Sequence, residues 1–166
     1  MTEQSKLPDF QSMAELRYQI RRFLRFSETA ARQAGIEPQQ HQLLLAIRGL
    51  PAELKPTIGV LAERMQLQHH STVELIDRLV DRGLICRLRA TDDRRQVLVK
   101  LTREGEAFLE TLSRHHLEEL QTVGPKFVKI LQGLIGKAKR SGMNPQRSRI
   151  PAAKIAEKTR KETNHG

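Results

Sequence analysis

Residues 57–105 read TIGVLAERMQLQHHSTVELIDRLVDRGLICRLRATDDRRQVLVKLTREG, and the fold of the chain turns on this stretch. Its first half has helical period. Thr57 is placed to cap a short helix over Ile58 to Met65, with Val60, Leu61 and Met65 facing inward. Gln66-Leu67-Gln68 makes a turn, and a longer helix is predicted from about His69 to Arg82, with Leu75, Ile76, Leu79 and Val80 apolar. Gly83 ends it as a left-handed C′ residue. The period then drops to two. Leu84 to Arg89 and Gln96 to Leu101 are short runs rich in branched residues, with Val97, Val99 and Leu101 alternating. The charged segment Ala90-Thr91-Asp92-Asp93-Arg94-Arg95 joins them, which predicts a β-hairpin. Thr102 caps the next helix, and Glu104 and Glu106 in its first turn suit the helix dipole. A short helix, a tight turn, a longer helix and a basic hairpin follow one another in the order of a winged helix-turn-helix.

Working outward, Phe10 to Ala34 places Phe10, Met13, Leu16, Ile20, Phe23, Leu24, Ala30, Ala31 and Ala34 at spacings of three and four. Arg17, Arg21, Arg22, Arg25 and Arg32 lie off that stripe, so a long amphipathic helix is predicted, with Gly35 as its stop. Pro38 opens a second helix through Gly49, and Pro51 and Pro56 bracket a loop. Beyond the hairpin, a helix from Thr102 is expected to run to about Val123 and to break at Gly124-Pro125. A last amphipathic helix then runs from Lys126 to Lys139. The predicted fold is mostly α, a winged helix-turn-helix with a hairpin wing and long helices at both ends. Its parts are a flexible segment 1–9, a body over 10–140 with a DNA-binding lobe at about 38–101, and a tail over 141–166. The tail has few large apolar residues with which to offset its ordering entropy, so it is expected to be disordered.

Composition narrows the partners. The chain has 166 residues and 38% apolar content, enough for one domain. No apolar run approaches the roughly 20 residues that span a bilayer, and Met1 to Asp9 lacks the apolar core of a secretory signal. The one cysteine, Cys86, excludes a disulfide framework and fits a reducing cytoplasm; its place in a wing strand reads as a buried, inert thiol. Net charge is +10, which favours a polyanion such as nucleic acid. Residues 137–166 supply nine Lys/Arg against two Asp/Glu, so most of the excess lies in this C-terminal stretch. The tail is expected to add sequence-independent phosphate contacts. Within the body, Arg78 to Arg103 holds eight basic residues against three acids. Aromatics are only 4%, a poor provision for stacking single-stranded bases, which leaves double-stranded DNA.

The major groove admits one helix, whose N-terminal polar side chains meet base edges, and hairpin arginines can enter the adjacent minor groove. His69, His70 and Ser71 open the second helix of the pair and are candidate base or phosphate contacts. Thr72 reads equally as packed inward. Arg78 is a candidate phosphate anchor or one half of an intrahelical ion pair with Asp77 or Asp81. Arg94 and Arg95 are the candidate minor-groove arginines, with Asp93 or Asp92 orienting them through a charge-assisted bond.

The sequence resembles the MarR (multiple-antibiotic-resistance regulator) family of bacterial transcription factors. The matching stretches are Leu61-Ala62-Glu63-Arg64, Ile76-Asp77-Arg78-Leu79, Arg82-Gly83-Leu84, Asp93-Arg94-Arg95, and Leu98-Val99-Lys100-Leu101-Thr102 followed by Gly105. The resemblance covers about residues 10–140. It implies a homodimer with interlaced helices at about 10–34 and 102–139, binding to a pseudo-palindromic operator, and repression relieved by a small, often phenolic, effector. Two positions depart from the family pattern. Glu74 stands where an arginine is common, so the contact there becomes one a carboxylate makes, such as accepting from cytosine N4. Gln66 stands where glycine is usual and must adopt a left-handed or bridging conformation.

The resemblance puts an effector pocket between the dimerisation helices and the DNA-binding lobe. There Tyr18, Arg22, His41 and Arg48 are the groups able to bind an anionic aromatic; ion pairing or solvation accounts for them equally. His41, His115, His116 and Glu119 do not make an expected metal site, because adjacent histidines on a helix point about 100° apart. No cofactor is implied. Neither a nucleophile with its base, a glycine-rich phosphate loop nor a carboxylate pair is present, so no enzyme is expected. The rival reading is a sequence-indifferent architectural DNA-binding protein that works through its basic tail.

Overall fold

The structure is a computed structural model that describes residues 9–90 and 96–140. The N-terminal segment, the wing tip with Asp93, Arg94 and Arg95, and the tail over 141–166 lie outside the described residues. Five helices and one hairpin follow in order: α1 (Phe10–Gln33), α2 (Pro38–Arg48), α3 (Ile58–Met65), α4 (His69–Asp81), β1 (Ile85–Arg89), β2 (Val97–Leu101) and α5 (Arg103–Arg140).

Three of these helices end in the same device. After α1, Gly35 (φ 77°) lets Ile36 N–H reach the Ala31 carbonyl at 3.0 Å while its own N–H reaches Arg32 at 2.9 Å. After α4, Gly83 (φ 68°) repeats this with Leu84 to Leu79 and Gly83 to Val80. These paired bonds satisfy carbonyls that a helix end leaves orphaned. After α3 the left-handed residue is Gln66 (φ 53°), as the tight turn requires, and its Nε2 donates to the Glu63 carbonyl at 2.8 Å. That bond offsets part of the roughly 1–2 kcal/mol a side chain costs in this region.

The core gathers one stripe from each element. Leu43 and Leu44 of α2, Leu61 of α3, Leu75, Ile76 and Leu79 of α4, Ile85 and Val99 of the hairpin, and Leu109 and Leu112 of α5 are buried together. β1 and β2 pair antiparallel from Ile85↔Leu101 to Arg89↔Val97, and Thr57 bridges Leu98 on the outer edge of β2. At the foot of the hairpin, Thr102 Oγ1 donates to the Gly83 carbonyl (2.6 Å) and accepts from Gly105 N–H (3.1 Å), so the predicted cap also locks α5 onto the end of α4. Gly105 has no alternative, since a Cβ there would sit 1.9 Å from the Leu84 carbonyl oxygen.

One expectation is corrected. α5 does not break at Gly124-Pro125 but runs unbroken for 38 residues with Pro125 inside it. Proline removes only its own N–H, and a preceding residue without Cβ escapes the clash that usually drives it out of the helical region. Two ion pairs bind α5 to α1 on the far side of the proline, Lys126 to Glu15 at 2.6 Å and Lys137 to Asp9. Asp9 also caps α1, accepting from Ser12 N–H at 3.0 Å. The Lys137 and Ser12 hydrogen bonds hold its carboxyl down to about 2.

Candidate nucleic-acid interface

The chain positions α4 from below and behind. Leu75, Ile76 and Leu79 are buried against the core, so the face opposite them, with Glu74, Asp77, Arg78 and Asp81, is exposed. His69 and His70 stand exposed in the first turn and Ser71 is half-buried beside them. Gln68 caps the helix with extended backbone (ψ 151°) and no side-chain bond, so no cap side chain occupies the first-turn N–H groups. A helix end of this kind carries a partial positive charge that suits phosphate. Thr72 turns inward instead. It is fully buried, and its hydroxyl donates to the Gln68 carbonyl at 3.1 Å, which removes it from the surface.

The acids flanking Arg78 divide differently from the sequence expectation. Arg78 lies 3.8 Å from Glu74, one turn earlier, with both side chains about two-thirds exposed. Such a pair contributes only about 0.3–0.5 kcal/mol and separates readily when a stronger partner arrives. Asp77 pairs with Arg87 of β1 at 2.6 Å. That link fixes the wing against α4, and sequence reasoning missed it because no local spacing connects position 77 to position 87. A second strut joins Arg82 to Gln40 of α2 at 3.5 Å.

Behind the lobe, where α2 meets α1 and α5, a buried pair of imidazoles fills the junction. His41 and His116 stack with ring centroids 4.8 Å apart, and Phe23 and Phe26 approach His116 edge-on. His116 Nδ1 lies 2.7 Å from the Leu112 carbonyl, an obligate acceptor, so Nδ1 donates there, and Nε2 and Ser27 Oγ share a hydrogen bond of 2.8 Å. His41 is 3% exposed and its Nδ1 has no partner. Burial, and to a lesser degree the charge of His116, lowers its pKa to about 4. It is therefore a neutral packing residue at neutral pH.

The four expected effector residues go separate ways. His41 is enclosed in this stack, and Tyr18 and Arg22 are exposed one turn apart on α1. Arg48 lines a cavity at the foot of the wing, among Ile47, Pro56, Leu98 and Lys100. No two of the four share one of the described cavities. His115 is exposed, about 100° around α5 from the buried His116, and Cys86 is half-buried in β1. Among the described residues no three His, Cys, Asp or Glu side chains are grouped to hold a metal ion, and no helix is long and apolar enough to cross a membrane.

Residues 34–96, from the end of α1 through the first strand and the wing tip, match the model of the MarR family. This segment is similar to the MarR family. The whole fold agrees with that assignment. An S. aureus MepR variant bound to an oligodeoxyribonucleotide is similar at 18% identity with a TM-score of 0.57, over 80% of this chain and 99% of that chain. A MarR variant from E. coli gives 22% identity and a TM-score of 0.53 over 95% and 96%. A protein from Mycobacterium tuberculosis gives 19% and 0.59 over 93% and 92%. The mostly helical architecture with one antiparallel hairpin is thus that of MarR-family transcription regulators. In the MarR-family lobe, α3 and α4 form the helix-turn-helix and β1–β2 the wing.

Proposed function

We propose that the chain is a homodimeric, sequence-specific transcription regulator, a repressor that sits on a pseudo-palindromic operator and leaves it when a small molecule binds. The observation that carries this reading is the exposed, uncapped start of α4, with His69, His70 and Ser71 beside free N–H groups, tied to a wing by Asp77–Arg87. α4 enters the major groove. His69, His70 and Ser71 meet phosphates or base edges there, and Glu74 and Arg78 lie further along the groove-facing side. Glu74 accepts from cytosine N4 and Arg78 anchors a phosphate once their surface pair opens. Arg94 and Arg95 enter the flanking minor groove, oriented by Asp93.

Dimerisation is supported by what α1 and α5 leave uncovered. Phe10, Met13, Ile20 and Leu24 on α1, and Leu117, Leu120, Val128, Leu131 and Ile135 on α5, are exposed in one chain. Apolar side chains concentrated on two packed helices mark an interface rather than scattered surface residues. The dimer resides in the bacterial cytoplasm.

The test compares Arg94→Ala and wild type for operator binding. Arg94→Ala is expected to cost about 1–3 kcal/mol of operator affinity with the dimer intact. Unchanged affinity would remove the wing from the reading, and binding indifferent to duplex sequence would replace a reader with an architectural protein.

A further inference from the structure

α1 carries a row of arginines that no described acid answers. Arg17, Arg21 and Arg25 recur every four residues and Arg32 stands two turns further on, and a step of about 100° per residue puts all four on one exposed face. That face turns away from α5, since Gln19 is buried and Phe23 meets His116 across the helix from it. The acids of α1 are both engaged, Glu15 by Lys126 at 2.6 Å and Glu28 by Arg32 at 3.6 Å. Arg17, Arg21 and Arg25 make no ion pair with any described residue. The far end of the row reaches the DNA-binding lobe. There Glu28 and Arg32 share the rim of one cavity with Leu75 and Arg78 of α4.

We propose that this row is a phosphate track for duplex DNA, continuing the contact made by α4 past Arg78 and along α1. This rests on the DNA-binding reading above and extends it to a face outside the helix-turn-helix and the wing. Arg17, Arg21 and Arg25 follow one another at about 6 Å along the helix. One strand presents a phosphate every roughly 3.4 Å of duplex axis, so no two guanidiniums share a phosphate. From Arg17 to Arg32 the row spans about 22 Å, the length of about six base pairs. A guanidinium is weakly hydrated and takes two phosphate oxygens at once, and each contact releases condensed counterions. Such contacts carry no base information, so the row adds affinity and orientation while α4 keeps the choice of sequence. Continuity with Arg78 selects DNA over an acidic protein as the occupant. Met13, Ile20 and Leu24 follow the neighbouring stripe of α1, so a dimer seated on them leaves the row along its edge.

The experiment measures binding of the full chain to a long mixed-sequence duplex across a salt series, comparing wild type with Arg17→Gln/Arg21→Gln/Arg25→Gln. Glutamine keeps the helix propensity and removes the charge. Three lost phosphate contacts are expected to lower the slope of log affinity against log salt by about 2.7 per chain, at about 0.9 per contact. The basic tail is present in both proteins and cancels. Arg17→Lys/Arg21→Lys/Arg25→Lys is expected to keep the wild-type slope. An unchanged slope in the glutamine variant would overturn the track. So would a shift of that variant from dimer to monomer in sedimentation, which would give the row to a second copy of the chain. Selection of bound duplexes from a random-sequence pool, run with wild type and the glutamine variant, separates this claim from the reading beneath it. If both enrich one inverted repeat and only the slope differs, track and reader both stand. If wild type enriches no motif while the slope still falls in the variant, the track stands and the sequence reader falls. If both enrich the repeat with equal slopes, the reader stands and the track falls.

Discussion

His41 shows how a side chain with one obvious sequence reading acquires another in the fold. Its sequence position suggested a ligand contact; the structure stacks it on His116 with an unpartnered Nδ1. Because its pKa falls from 6.5 unfolded to about 4 folded, the unfolded chain binds more protons between those values. The stability it contributes is complete above pH 6.5 and is lost as pH drops toward 4, at up to about 1.4 kcal/mol per pH unit. Denaturant midpoints across pH 7.5 to 4.5 are expected to fall along this slope, and His41→Leu is expected to flatten it. An unaltered slope in that variant would place the acid sensitivity elsewhere. Asp9 acts in a separate window: its contribution persists until pH falls below its unfolded value of 3.8. At this scale the sequence was legible where backbone geometry dictates residue type. Gly35 and Gly83 were identifiable as left-handed helix stops, and Gln66 as the residue forced into the same conformation. The buried imidazole stack was not, since its members come from α2 and α5, 75 positions apart.

Among the elements, the winged helix-turn-helix was legible because each part announces itself by period: 3.6 through α3 and α4, then two through the hairpin. The long helix α5 was misjudged at Gly124-Pro125, because a local breaker rule ignores what the rest of the helix packs against. The ion pairs of Lys126 and Lys137 with α1 lie beyond any local window, as does the Asp77–Arg87 strut. Where α4, β1 and α5 converge, Thr102 and Gly105 make the junction rigid, and Gly105→Ala tests it. Its new methyl meets the Leu84 backbone, which cannot retreat without disturbing the Leu84–Leu79 and Thr102–Leu84 hydrogen bonds. The variant is expected to lose about 2–3 kcal/mol in denaturant unfolding. A loss within 0.5 kcal/mol of zero would mean that α5 is not seated there as described.

For the whole molecule, the helices that carry the lobe leave large apolar side chains exposed among the described residues. Leu131 and Ile135, at 42% and 54% exposure near the end of α5, belong to no core among the described residues. Leu131→Arg with Ile135→Arg is expected to shift sedimentation from dimer to monomer while the lobe keeps its hairpin and helix resonances. A dimer that persists would move the interface off this face. Under the proposed function each chain of a two-fold dimer presents one α4, so the pair is expected to read two half-sites about one helical turn apart. The most direct test is selection of bound duplexes from a random-sequence pool at physiological salt with the full chain. The account predicts an enriched inverted repeat with half-sites at that spacing. Recovery of no motif, with binding that disappears as salt rises, would contradict it.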